Sequence, residues 1–174
     1  MAIECLTHQF KHRITANKSL QLKIFTEYSR QNTIFRAHPF YSKSGTPWYD
    51  WVMLRFGKDR HKHECATYKA WLGDDEKTAS EHSYAPAKIL CFCQDPADNN
   101  IYAVCMCCAF AHKESSAITT YWKIEYTDKA CQNPYLAYID VNSFVRHVTM
   151  IPENDNLNGY HEIWQRSEWA NSFL

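Results

Sequence analysis

Alternation with a period of two residues is the strongest constraint on the fold of this chain. In "QLKIFTEYSR" the side chains of Leu22, Ile24, Thr26 and Tyr28 fall on one face with mostly polar residues between them, the pattern of a half-buried strand. "TIFRAHPFY" follows after the polar pair Gln31-Asn32 and is expected to form a hairpin with it. Pro39 should end the pairing, because it has no amide hydrogen to donate. "WYDWVMLRFG" puts Asp50, Val52, Leu54 and Phe56 on one side and Trp51, Met53 and Arg55 on the other, with Gly57 closing the strand.

Further along, "AKILCFC", "IYAVCMCCAF", "TTYWKIEY", "YLAYIDV" and "SFVRHVTMIP" are separated by turn-rich pieces such as "QDPADNN" and "DKACQNP". Short strands at even spacing predict an all-β chain, a distorted antiparallel β-barrel. Residues 58–86 are polar and poor in strand formers and read as a long insertion loop, a length that marks function or disorder. Ser167 followed by "EWANSFL" predicts a short capped C-terminal helix. With 174 residues the chain fits one domain, 1–174, with an N-terminal extension over 1–19.

Charge narrows the function. Nineteen basic residues balance nineteen acidic ones, so the long-range field that drives nonspecific nucleic-acid binding is missing at the level of the whole chain. A nucleic-acid binder is a second alternative that a local basic face would have to support. No apolar run approaches the roughly 20 residues of a membrane span, and "MAIECLTHQFKHR" lacks the apolar core of a secretory signal. The expectation is an intracellular protein, nuclear or cytoplasmic, whose cysteines are thiols or metal ligands.

Five of the eight cysteines fall in "CFCQDPADNNIYAVCMCC", residues 91–108. On a strand Cys105 and Cys107 share a face with Ala103 and Ala109, where a small apolar residue suits close packing. With "QDPADNN" as the turn, Cys93 faces Ile101 and Cys91 faces Ala103. Four sulfurs at about 2.3 Å from one zinc would instead need Cys93 opposite Cys105, with "IYAV" absorbed into the loop. The buried-thiol reading is therefore favoured over a metal clip. The alternative zinc site, structural or catalytic, is "HKHEC", where His61, His63 and Cys65 alternate and His82 could complete the set.

Phosphate-cradling and hydrolase motifs are missing, and with four glycines no glycine-rich loop can be drawn. Enzymatic activity is thus not favoured. Asp50 and Asp140 lie inside predicted strands and read as strand-end hydrogen-bond acceptors or partners of Arg36, Arg55 or Arg146. Aromatic residues make up 15% of the chain, and Trp48, Tyr49, Trp51, Trp71, Trp122 and Tyr126 could line a groove near Asp50. Aromatic walls with an acidic residue bind methylated ammonium groups or stack bases.

The segments "FTEYSRQNTIFRAHPFYSKSGTPWYDWVMLRF", "YAPAKILCF", "YWKIEY", "YIDVNSFVRHVTMIP" and "SEWANSFL" resemble a domain of transposon-linked eukaryotic reading frames with the pattern "IFRAHPxY…PWYDWVxVxF…YPAxILxF". The resemblance covers residues 20–174 and implies a mobile-element origin without implying an activity. "AKILCF" and "IDVNSFVRHVTMIP" also resemble strands of bromo-adjacent homology domains, bent barrels that bind chromatin proteins or nucleosomes. Where those carry a "WFYRPEET" segment, this chain has "CMCCAFAHKESS", so their methyl-lysine cage is not carried over. The resulting expectation is a non-catalytic protein- or chromatin-binding module, for a histone-like peptide, with no cofactor.

Overall fold

The computed structural model describes residues 22–41, 43, 45–57, 82–94, 99–113, 119–128, 130, 132–154 and 156–163. At residues 56–57, 82–83, 110–113, 119, 127–128 and 156–157 it describes the backbone alone. The strands are β1 (Lys23–Phe25), β2 (Glu27–Arg30), β3 (Thr33–His38), β4 (Trp48–Tyr49), β5 (Trp51–Gly57), β6 (His82–Gln94), β7 (Ile101–Lys113), β8 (Thr119–Ile124), β9 (Tyr126–Asp128), β10 (Asn133–Pro134), β11 (Leu136–Asp140), β12 (Phe144–Glu153) and β13 (Asn156–Ile163). A 3-10 turn, Val141–Ser143, links β11 to β12. Every pairing is antiparallel.

The largest sheet runs β1-β6-β5-β12-β13-β8-β7-β11, and a further β6–β7 pairing joins two of its inner members. Six strands, β6, β5, β12, β13, β8 and β7, therefore pair in a closed circuit. This is the all-β, barrel-like architecture that the alternation predicts. A smaller sheet, β2-β3-β4, lies against it, and β9 pairs with β10 in a short ribbon.

Strand β5 shows why the chain needs two hydrophobic cores. Its even-numbered residues Val52 and Leu54 enter a cluster with Phe35, Ala37, Ala87, Ile89, Phe92, Ala103, Cys105, Cys107, Ala137, Val141 and Phe144. Its odd-numbered residues Trp51 and Met53 enter another with Ala85, Cys108, Trp122 and Val148, against which Tyr160 packs. Every strand of the circuit contributes to the second cluster, which fills the barrel. The first lies on the outer face of β5, β6 and β7, under the β2-β3-β4 sheet. Strands buried on both faces have no polar side to show, which accounts for the unbroken apolar "WVML".

The thiols follow the same division. Cys105 and Cys107 share the outer face with Ala103, as expected, while Cys108 points into the barrel. Cys93, Cys105, Cys107 and Cys108 are buried, and none of them forms a disulfide. The expected register of Cys93 opposite Ile101 is off by one near the turn, where Gln94 pairs with Ile101 and Cys93 with Tyr102. An irregularity between Ile89 and Cys91 absorbs the difference, so that Ile89 stands opposite Cys105 and Ala87 opposite Cys107, the frame the sequence predicted. The extra residue at Leu90 is a bulge, which one strand of a bent pair inserts to increase its twist.

Several boundaries also move. "QLKIFTEYSR" breaks at Thr26 because β1 pairs with β6 whereas β2 pairs with β3. The break reverses the face ahead of it: Ile24 is exposed, and Phe25 packs on the outer core with Tyr28. The β2–β3 hairpin turns at Gln31-Asn32, both with positive φ (46° and 66°), as a two-residue turn matched to strand twist requires. The third predicted strand is interrupted at Asp50, between β4 and β5. The insertion ends earlier than residue 86, since 82–86 belong to β6 and pair with β5, Pro86 standing opposite Met53. Pro86 is tolerated because the β6–β7 pairs begin only at Ala87. The N-terminal extension, the C-terminal helix and the rest of the insertion lie outside the described residues.

Gly159 marks a close approach in the barrel wall. A Cβ there would strike the Tyr121 hydroxyl and come within 2.7 Å of Glu153 Oε2, two atoms that hydrogen-bond to each other. Replacing Gly159 by Ala is expected to destabilise the fold by about 1–3 kcal/mol, read as a lower urea midpoint at unchanged slope; an unmoved midpoint would contradict this packing.

Candidate functional site: an exposed aromatic hairpin on a buried aspartate

The loop between β3 and β4 carries "HPFYSKSGTPW". His38 ends β3 and pairs with Trp48, and Pro39 stops the ladder there as expected. The loop closes on a hydrogen bond from Tyr41 N to Thr46 O, 3.0 Å. Gly45, at φ 76°, takes a left-handed conformation that a side chain would strain. The side chains then form a row on the surface. Tyr41 lies 5.3 Å from the Trp48 ring at 42°, and 6.0 Å from His38 at 75°. Phe40 is 73% exposed, and Tyr41 and Trp48 are each 49% exposed.

Asp50 holds this row in place. It is only 6% exposed, and its carboxylate accepts hydrogen bonds from the Trp48 indole N–H and from the Arg36 amide, both at 2.7 Å. His147 Nε2 stands 3.4 Å from Oδ1. Asp50 N donates to Arg36 O and Asp50 O accepts from Ile89 N. Burial alone would raise the Asp50 pKa, but the hydrogen bonds from His147, Trp48 and the Arg36 amide outweigh it, leaving the carboxyl below its ordinary value. The site therefore keeps a negative charge at the indole edge. The strand-end acceptor predicted for Asp50 is observed, with the Arg36 backbone as partner rather than its guanidinium, which sits 3.5 Å from Glu27. Asp140 plays the same kind of part, accepting from Asn142 N at the 3-10 turn.

The other nominated aromatics lie elsewhere. Trp51 is buried in the barrel, its ring 4.7 Å from Tyr160. Trp122 is 1% exposed and donates its indole N–H to Glu162 at 2.9 Å. Glu162 is fully buried and paired with Arg146 at 2.5 Å; removing one partner of such a pair typically costs about 3–5 kcal/mol. A structural pairing of Trp122 is thus explicit, and its ring offers no surface. Tyr126 is half-buried in β9, its hydroxyl inside the protein. Tyr49 packs on the outer core and, with Trp51, faces the ammonium group of Lys88, 5.3 and 6.0 Å from the two rings. Trp48, Trp51 and Trp122 therefore do not form one groove. Trp71, His61, His63 and Cys65 lie outside the described residues, and His82 is placed by its backbone alone, opposite Gly57.

Phe40, Tyr41 and His38 were not nominated by the sequence, although the signal was present. Two prolines, 39 and 47, flank a short loop and keep it out of the strand ladder, and its aromatic residues Phe40 and Tyr41 are exposed there. Glu162 gave no comparable signal, because nothing in "GYHEIW" distinguishes a carboxylate facing the barrel from one facing solvent.

No family model, curated protein or solved structure matches the chain.

Asp50→Asn is expected to destabilise the protein by about 1–3 kcal/mol at neutral pH, since an amide puts a donor against the donors it must accept from. The Asp50 pKa is lower in the folded state, so its stabilisation is present above the unfolded value and lost as pH falls below about 4. Urea denaturation at pH 7 and pH 3 should show the gap between wild type and variant closing at the lower pH; a constant gap would contradict the assignment.

Proposed function

We propose that this chain is a non-catalytic interaction module that binds a cationic, histone-like peptide on the hairpin from His38 to Trp48. The observation that carries the reading is the exposed rings of Phe40, Tyr41 and Trp48 on one hairpin, with Tyr41 against Trp48 and a buried carboxylate on the Trp48 indole edge. Exposed aromatic groups of this kind are unusual unless they are contact surfaces. An aromatic face attracts ammonium and guanidinium groups through its quadrupole, and the charge of Asp50 beneath Trp48 adds to that attraction. The resemblance to domains of transposon-linked frames and to bromo-adjacent homology domains supports a chromatin setting for such a module.

The test is direct titration of the full chain with lysine- and arginine-rich histone-tail peptides, unmodified and trimethylated, followed by tryptophan fluorescence and calorimetry. Trp48→Ala and Phe40→Ala should each weaken binding by about tenfold or more, whereas Ile151→Ala, on another exposed site, should leave it unchanged. Failure of every peptide to bind, or equal binding by the Trp48 and Ile151 variants, would overturn the reading.

A further inference from the structure

A cavity of about 100 Å³ opens between the β2–β3 turn and the start of β12, at the other end of β3 from the exposed hairpin. Phe35 and Phe144 form its apolar side, edge to face with rings 5.2 Å apart and both buried. Arg30, Gln31, Thr33 and Arg146 supply the polar wall, and no acidic side chain lines it. The charge of Arg146 is already answered, since its Nη2 pairs with Glu162. That of Arg30 is not. Its Nη1 donates to the carbonyls of Val141 and Phe144 at 3.2 and 3.0 Å, with the Asn142 carbonyl at 3.5 Å, which pins the guanidinium without neutralising it. Among the described residues no carboxylate pairs with Arg30, and Asp140, beside the pinned turn, directs Oδ1 to Asn142 N. The N–H groups on Nε and Nη2 make no hydrogen bond to another described residue, and neither do the Gln31 amide and the Thr33 hydroxyl. A guanidinium held from one side by carbonyls, with unspent donors beside a hydroxyl and an amide, is a donor set for an oxyanion with several oxygens.

We propose that this cavity binds a phosphate monoester, with Arg30 as the charged donor and Thr33 and Gln31 as neutral ones. Its volume equals roughly three water molecules at about 30 Å³ each, room for one phosphoryl group and too little for a nucleotide. A monoester brings three terminal oxygens and a charge near two, so it can meet a guanidinium and two further donors at once, as a carboxylate cannot. Phe35 and Phe144 keep water from the inner side, and a charge-assisted hydrogen bond is stronger where the local dielectric is low. The wall holds one uncompensated cation rather than the run of basic residues that tracks a nucleic-acid backbone, so the ligand is a single ester group and not a polynucleotide. Nothing in this site depends on the hairpin binding a peptide.

The ¹⁵N-labelled full chain is titrated with methyl phosphate at pH 7 and constant ionic strength, with dimethyl phosphate and acetate as comparison probes. Methyl phosphate should shift the Arg30 Nε–H and the Gln31 and Thr33 amide signals along one saturable curve, and bind about tenfold or more tightly than the diester or acetate. Gln31→Ala and Thr33→Val should each weaken it by about three- to tenfold, Arg30→Gln should abolish it, and Ile151→Ala should leave it unchanged. Arg30 also holds the turn before β12, so if Arg30→Gln unfolds, the Gln31 and Thr33 variants decide. A phosphoserine peptide flanked by alanines separates two sources of the ester. Tighter binding than methyl phosphate assigns a phosphorylated polypeptide, equal or weaker binding a free phosphate ester, and either upholds the site. No saturable shift, binding of the diester or acetate as tight as that of the monoester, or an affinity that neither Gln31→Ala nor Thr33→Val lowers would overturn it.

Discussion

The fold and its exposed surface meet at the carboxylate of Asp50. Through side chain and backbone together this one residue bonds to β3 at Arg36, to β4 at Trp48 and to β6 at Ile89, and it approaches β12 at His147. It sits where the β4–β5 segment passes from the small sheet into the barrel, and the break in the strand there is what allows both assignments. A buried carboxylate is costly unless its lone pairs are used. Here donors from two strands use them, and the cost becomes a specification: β3, β4 and β5 can take only the arrangement that brings those donors together. Trp48 is fixed at the surface by the same bonds that fix the sheet.

Around that point the chain solves a packing problem with unusual residues. Strands β5, β6 and β7 are buried on both faces, between the barrel interior and the core under the small sheet. Two layers of side chains must fit within close strand spacing, so small apolar residues are needed where the layers approach. Cysteine and alanine fill those places on β7 and β6. Burial, with Cys107 and Glu125 adding to it, pushes the Cys108 thiol far above its ordinary pKa, so it stays neutral and serves as a packing residue. Inside the barrel, the Glu162–Arg146 pair and the Trp122 indole supply a polar anchor that fixes which way β8, β12 and β13 face.

Alternation was enough to read the fold class and most strands, because a residue pattern of period two has one physical meaning when it recurs between turn residues. The cysteine face and the end of β3 at Pro39 were legible for the same reason. The breaks at Thr26 and Asp50 were not, since each depends on which strand pairs on either side, a long-range fact. The one-residue slip beside the β6–β7 turn was hidden by a bulge that propensity does not mark. The aromatic site was legible in composition and only partly in placement. Alternation along "WYDW" alone cannot say that Trp48 lies outside and Trp51 inside, because the strand changes sheets between them.

The central feature of the structure is the Asp50 carboxylate holding the Trp48 indole. Its most direct test is the indole ¹H–¹⁵N resonance of Trp48 in the full chain, followed with its solvent exchange in wild type and in Asp50→Asn. A slowly exchanging, shifted Trp48 indole proton in the wild type, lost in the variant while the Trp122 indole stays in place, is the predicted result. A Trp48 indole that exchanges as freely as an exposed tryptophan and does not respond to the substitution would contradict it.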